Sequence, residues 1–238
     1  MQLTWLAPSR TVVVTRWRNE GSRWRTNPQT FFVLLVGLWL FGTGEALLLN
    51  AGLGVSPWTV LAQGIYELTG MSIGWATFVI SLIVLLAWIP LHEKLGLGTV
   101  SNAIFLAFAL QVMLGVLPHP HLFVLQLLES VAGIAAIGLA SGLYLTTNLG
   151  PGPRDGMMTG LHTRTGISVA RVRLAIEVCV LAIGWMLGGT IGLGTLLFAL
   201  FIGASVGYGL KFCGWIGRPS NAIDSAGVIV DEHPELEA

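Results

Sequence analysis

Charge is what this sequence has least of. Lys and Arg number 12 and Asp and Glu another 12, together 10% of 238 residues against 54% hydrophobic ones, where a soluble domain carries about a quarter charged residues. With a mean hydropathy of +0.77, the shortage excludes an ordinary water-facing surface. Residues 31–49, 73–89 and 122–144 hold at most one charge each. Cysteine is nearly missing too: Cys179 and Cys213 lie in or beside apolar runs and read as packing residues, which leaves the redox compartment open. The chain lacks His-Glu-x-x-His, Gly-x-Ser-x-Gly and any phosphate loop ending in Gly-Lys-Ser or Gly-Lys-Thr. These absences speak against a zincin, a serine hydrolase and an ATP-driven pump acting alone. His119 and His121 share a short turn, but two ring nitrogens do not close a metal site. No enzyme activity, cofactor or metal is expected.

What is present is apolar length. Six runs, at roughly 31–50, 72–90, 97–117, 122–147, 168–188 and 192–212, reach the ~20 residues a bilayer core demands. Arg10, Arg16, Arg18, Arg23 and Arg25 precede the first run, Lys94 follows the second, Arg154, Arg164, Arg171 and Arg173 follow the fourth, and Lys211 and Arg218 close the last. The alternate connections hold no Lys or Arg, and positive charge marks cytoplasmic loops. The expectation is therefore a six-span protein of a bacterial cytoplasmic membrane with both termini inside. Residues 1–30 read as a basic tail and 214–238 as an acidic one, both solvated and weakly structured. Trp5, Trp17 and Trp24 among the arginines point to anionic lipid rather than nucleic acid.

A shift of 96 residues lays Leu53-Gly54-Val55-Ser56-Pro57 on Leu149-Gly150-Pro151-Gly152-Pro153, Thr69-Gly70 on Thr165-Gly166, and Gly96-Leu97-Gly98-Thr99 on Gly192-Leu193-Gly194-Thr195. Residues 37–116 against 133–212 give 22 identities in 80 positions without a gap. Shared apolar composition would not cluster identities at Gly, Pro and Thr turns, so duplication is the better reading. The expected fold is all-α, with repeats at 31–120 and 121–213. Three spans per copy, an odd number, force the second copy to enter from the opposite side, an arrangement common in secondary transporters.

Each Leu-Gly-x-x-Pro element reads as a helix break around Gly54 and Pro57 or Gly150 and Pro153. The short stretches 57–69 and 154–165 that follow are either re-entrant, lining a cavity, or interfacial. Trp58 and Thr59 correspond to Arg154 and Asp155, so the second copy adds charge. Arg154 could bind a carboxylate or phosphate, with Asp155 orienting it or capping the next helix, and Trp58 could stack on a solute or on Arg154. Glu177 stands mid-span, where a carboxylate is expensive unless paired or facing a cavity; Arg173 lies one turn earlier as a ready partner. Glu45 is also intramembrane, between small glycines, and open to proton relay or helix-helix hydrogen bonding. Glu129 lies nearer a helix end, where it could snorkel. Trp88 and Trp215 read as interface anchors.

The motifs Gly52-Leu53-Gly54-Val55-Ser56-Pro57-Trp58, Leu149-Gly150-Pro151-Gly152-Pro153-Arg154-Asp155-Gly156, Arg173 with Glu177, and Gly192-Leu193-Gly194-Thr195 resemble the YczE-type (YczE/YyaS/YitT-like) family of bacterial integral membrane proteins. That resemblance implies a multi-pass membrane protein of a kind commonly described as a transporter or permease, with no settled substrate. It also implies an Asp after the Pro-Trp pair, where this chain has Thr59. The expected function is movement of a small organic solute, anionic if Arg154 receives it. The alternative is a non-transporting accessory docking a partner through Gly138-x-x-x-Gly142 or Gly203-x-x-x-Gly207. Homodimerisation stays open.

Overall fold

The computed structural model describes residues 12–218 and, among them, is all helical. Asn27 accepts from Thr30 N at 2.7 Å and Pro28 occupies the first turn, a capped start for α1 (Pro28–Ala51). Then come α2 (Pro57–Thr69), α3 (Ile73–Leu91) and α4 (Leu97–Leu114), the last interrupted by a π turn at Asn102–Leu106. The second half repeats the series as α5 (Phe123–Thr146), α6 (Pro153–Thr165), α7 (Val169–Met186) and α8 (Leu193–Ile216). Pro57, Ile73 and Leu97 each sit 96 residues before Pro153, Val169 and Leu193, so three helix starts recur at the sequence offset.

Five helices, α1, α3, α4, α5 and α8, are long and apolar enough to cross a membrane. The sixth expected run forms α7, 18 residues long but carrying Arg171, Arg173 and Glu177. Leu86, Ile89, Leu174, Trp185, Leu200 and Phe201 are exposed; so much apolar surface invites aggregation in water and suits lipid.

The centre is a crossing of α1 and α5 made close by glycine. A methyl group at Gly37 would come 3.1 Å from Tyr144 N, and one at Gly44 2.8 Å from Gly133 O. Rising numbers on one helix meet falling numbers on the other, so the two run antiparallel. The breaks exchange partners between halves in the same reciprocal way: Gly194 N donates to Leu53 O at 2.7 Å and Gly98 N to Leu149 O at 2.9 Å. Gly138 and Gly142, expected to offer a docking face, are taken up inside the chain by Ser205 and Gly209 of α8.

Three expectations need correction. Helix α1 ends at Ala51 with its left-handed cap at Gly52, not at Gly54; Gly54 (φ +103) lies in the connection, where a Cβ would stand 2.5 Å from Gly192 N. Trp88 is no interface anchor. It is 2% exposed and donates from Nε1 to Pro153 O at 3.0 Å, with its ring filling the space left by Gly156. Residues 12–27, though mostly exposed, are tied to the helices and are not a free tail: Trp17 is buried and donates to Thr146 Oγ1 at 3.0 Å, Thr30 Oγ1 donates to Trp17 O at 2.7 Å, and Leu97 N to Arg23 O at 2.9 Å. An indole that reaches a hydroxyl partner can bury its whole apolar body. Most of the acidic C-terminal tail, residues 219–238, lies outside the described residues.

Candidate functional site: a cavity between the two halves

The breaks come together because each ends a long helix and restarts a short one at the α1/α5 crossing. Trp58 and Arg154, equivalent under the 96-residue shift, meet face to face, the guanidinium 5.0 Å from the ring centroid, a cation–π distance. Beside them lies a cavity of about 160 Å³, room for about five waters at about 30 Å³ each. Trp58, Glu45, Arg154, Asp155, Arg173 and Glu177, the six residues singled out from sequence for solute binding, all line it.

Their pairings differ from the simplest sequence reading. Glu45, 1% exposed, accepts on Oε2 from Ser56 Oγ and Thr59 Oγ1, both at 2.8 Å, and its Oε1 stands 3.8 Å from Arg154 Nη1. Two hydroxyls and a guanidinium give this buried carboxylate hydrogen bonds and an opposite charge. Arg154 thus faces Glu45, while Glu177 keeps to Arg173 (2.9 Å, one turn apart) nearer the cavity's more open side, where their side chains are 21% and 42% exposed. Asp155 accepts from the Tyr144 hydroxyl in a short hydrogen bond and, among the described residues, has no Lys, Arg or His within ion-pair distance. Away from the cavity, Glu129 Oε1 accepts from Asn50 Nδ2 at 2.8 Å. The helix-break residues act as scaffold: Pro57 and Pro153 start the short helices, and Gly54 and Gly150 let backbone approach backbone.

Sequence reading missed Ser56, Thr59 and Tyr144 as polar partners, and Asn102 as a lining residue. A signal existed for Tyr144, a phenol inside an apolar helix near small residues, because a buried Tyr hydroxyl needs a partner. The π turn beginning at Asn102 left no mark in sequence periodicity.

The lining has a pattern. Phe41/Ile137, Glu45/Ser141, Ser56/Gly152, Trp58/Arg154, Asn102/Phe198 and Leu106/Ile202 are pairs 96 residues apart in which both members face the cavity. The remaining seven, Tyr144, Leu145, Asp155, Met158, Arg173, Glu177 and Val206, all belong to the second half. Of their counterparts in the first half, Leu48, Thr59, Ala62, Thr77, Ser81 and Leu110 are buried and Leu49 is half-buried. The lining is therefore shared by six equivalent pairs and otherwise drawn from the second half alone.

A model of a family of unknown function, DUF6198, matches residues 28–211. The chain belongs to that family. Among relatives of this DUF6198 chain, an uncharacterized protein of Haemophilus influenzae is 41% identical over 202 residues, 85% of this chain and 92% of its own length. The uncharacterized membrane protein YczE of Bacillus subtilis is 28% identical over 183 residues (76% and 84%), and the uncharacterized protein YyaS of the same organism 26% over 168 (68% and 83%). No solved structure matches. The resemblance carried by the two break elements is thus a family relationship. With the membrane relative and five long apolar helices, the DUF6198 chain is a multi-pass membrane protein.

Proposed function

We propose that the protein is a secondary transporter or permease that moves a small organic solute across the bacterial cytoplasmic membrane by alternating access. In this reading α7 is the sixth span, the halves are inverted copies, and both termini lie in the cytoplasm. The antiparallel α1/α5 crossing and the reciprocal break contacts favour inversion; the charges of α7 can be carried at membrane depth because Arg173 and Glu177 pair and line the cavity.

The observation that carries the proposal is the lopsided lining. Six equivalent pairs line the cavity from both halves, and every further lining residue comes from one half. Two packings of one repeat can exchange, so a second state follows in which the first half opens and the second closes, rocking about a fixed central site. Thr77 supports this exchange: its hydroxyl oxygen is buried without a hydrogen-bond partner, yet its counterpart is the cavity residue Arg173. In the exchanged state Thr77 would meet water and its unmet hydrogen bond would be satisfied. A cavity, in place of a dry seam between the halves, favours transport over the accessory role, to which the exposed Gly203 still offers a docking point.

The test is transport itself. In proteoliposomes loaded with a bacterial metabolite extract, wild type should exchange at least one solute, and Arg154→Ala and Glu177→Gln should each lower the rate by about tenfold or more with insertion unchanged. Wild-type rates in both variants would remove this site assignment.

A further inference from the structure

Three carboxylates face the cavity, Glu45, Asp155 and Glu177, against two guanidiniums, Arg154 and Arg173. Two ion pairs are made, Arg154 with Glu45 and Arg173 with Glu177, and Arg154 is further occupied by the face of Trp58. The anion-binding potential that Arg154 offers in the bare sequence is therefore already used within the protein. Asp155 is left over. Its carboxylate takes the Tyr144 hydroxyl, which supplies a hydrogen bond but no charge. It sits in the first turn of α6, where the helix end contributes about half a positive charge, too little to balance a full carboxylate charge. Asp155 is exposed where it lines the cavity, with the Arg154 charge beside it; the lining as a whole still holds one carboxylate more than it holds guanidiniums, an excess that a cation entering the cavity balances.

We propose that the transported solute carries a cationic nitrogen, an ammonium, guanidinium or quaternary amine, which pairs with Asp155 beside Tyr144 while its apolar part rests on Phe198, Ile202 and Ile137. The inference rests on the transport reading and specifies its substrate class, in place of the anion suggested by Arg154 alone. The volume of about 160 Å³ limits the bound part to a small organic ion. The aromatic and aliphatic walls give an alkylammonium more contact than they give a hydrated metal ion, whose water shell they cannot replace.

The full-length chain, purified in detergent, decides the matter by thermal unfolding with methylammonium, guanidinium, tetramethylammonium and choline on one side, and acetate, succinate and methylphosphonate on the other. A ligand that binds only the folded state raises the unfolding temperature with its concentration. At least one cation should do so in wild type. Its apparent affinity should fall at least tenfold in Asp155→Asn and recover in part in Asp155→Glu, which keeps the charge and guards against a folding defect in the first variant. Stabilisation by anions alone, or cation binding that Asp155→Asn leaves unchanged, overturns the cationic assignment and leaves transport standing. Stabilisation by neither class, in protein that unfolds cooperatively, counts against both.

Discussion

Gly52 and Gly54 stand two residues apart, both with positive φ (+70 and +103), and differ in what surrounds them. Around Gly52 a Cβ would find nothing within 4 Å; at Gly54 it would find Gly192 N at 2.5 Å and Thr195 Oγ1 at 2.7 Å. Gly52→Ala should thus cost only the left-handed backbone penalty, about 1 kcal/mol. Gly54→Ala adds overpacking against backbone and should cost about 2–4 kcal/mol. Unfolding midpoints in mixed micelles measure both, and equal losses would mean that the break does not seat on α8. Both glycines are conspicuous in the sequence, but the distinction between them was not legible, because it depends on a neighbour about 140 residues away. Glu45 illustrates the same limit. Its place in an apolar run is plain from sequence, while the hydroxyls that donate to it sit on the far side of the break at Ser56 and Thr59.

Helices α2 and α6 begin at equivalent prolines and end at equivalent threonines, so their extents follow directly from the 96-residue repeat. What holds them in place does not repeat. Behind α6, Trp88 packs on Gly156 and bonds to Pro153 O; at the equivalent contact behind α2, Gly184 lies against Val60 and Leu61. Large and small have changed places between the halves. A tryptophan near a helix end ordinarily suggests the membrane interface, and only the small residue opposite reveals that it is buried. Trp88→Ala should therefore empty the space behind the second break and cost about 3–5 kcal/mol. Trp88→Phe, which keeps most of the ring and loses the hydrogen bond to Pro153 O, should cost under half as much. Near-neutral Trp88→Ala, read from the unfolding midpoint, would mean that the ring does not support the break.

At the scale of the whole molecule, the recurrence of helix starts at a 96-residue offset was legible because turns require particular residues, and Gly, Pro and Thr kept their places under the shift. The six residues that turn out to line the cavity were legible as charges and an aromatic in an apolar setting, where such groups are rare. Their pairing was not, since it depends on how the halves cross. Nor was the direction of opening, a property of one conformation rather than of the sequence pattern. That opening links architecture to the proposed activity: seven residues of the second half reach the cavity and their counterparts do not. Alternating access requires the roles to exchange.

Accessibility of one equivalent pair tests this most directly. In a chain freed of its own thiols by Cys179→Ser and Cys213→Ala, Thr77→Cys and Arg173→Cys report on positions 96 residues apart, one buried and one partly open to the cavity. A membrane-impermeant maleimide should label Arg173→Cys from the face bearing the arginine-rich N-terminal segment. It should label Thr77→Cys from the opposite face, and locking either opening by cross-linking should suppress labelling at the other. If Thr77→Cys stays unlabelled from both faces, or both positions react from the same face, the two halves do not exchange roles and the transport account fails.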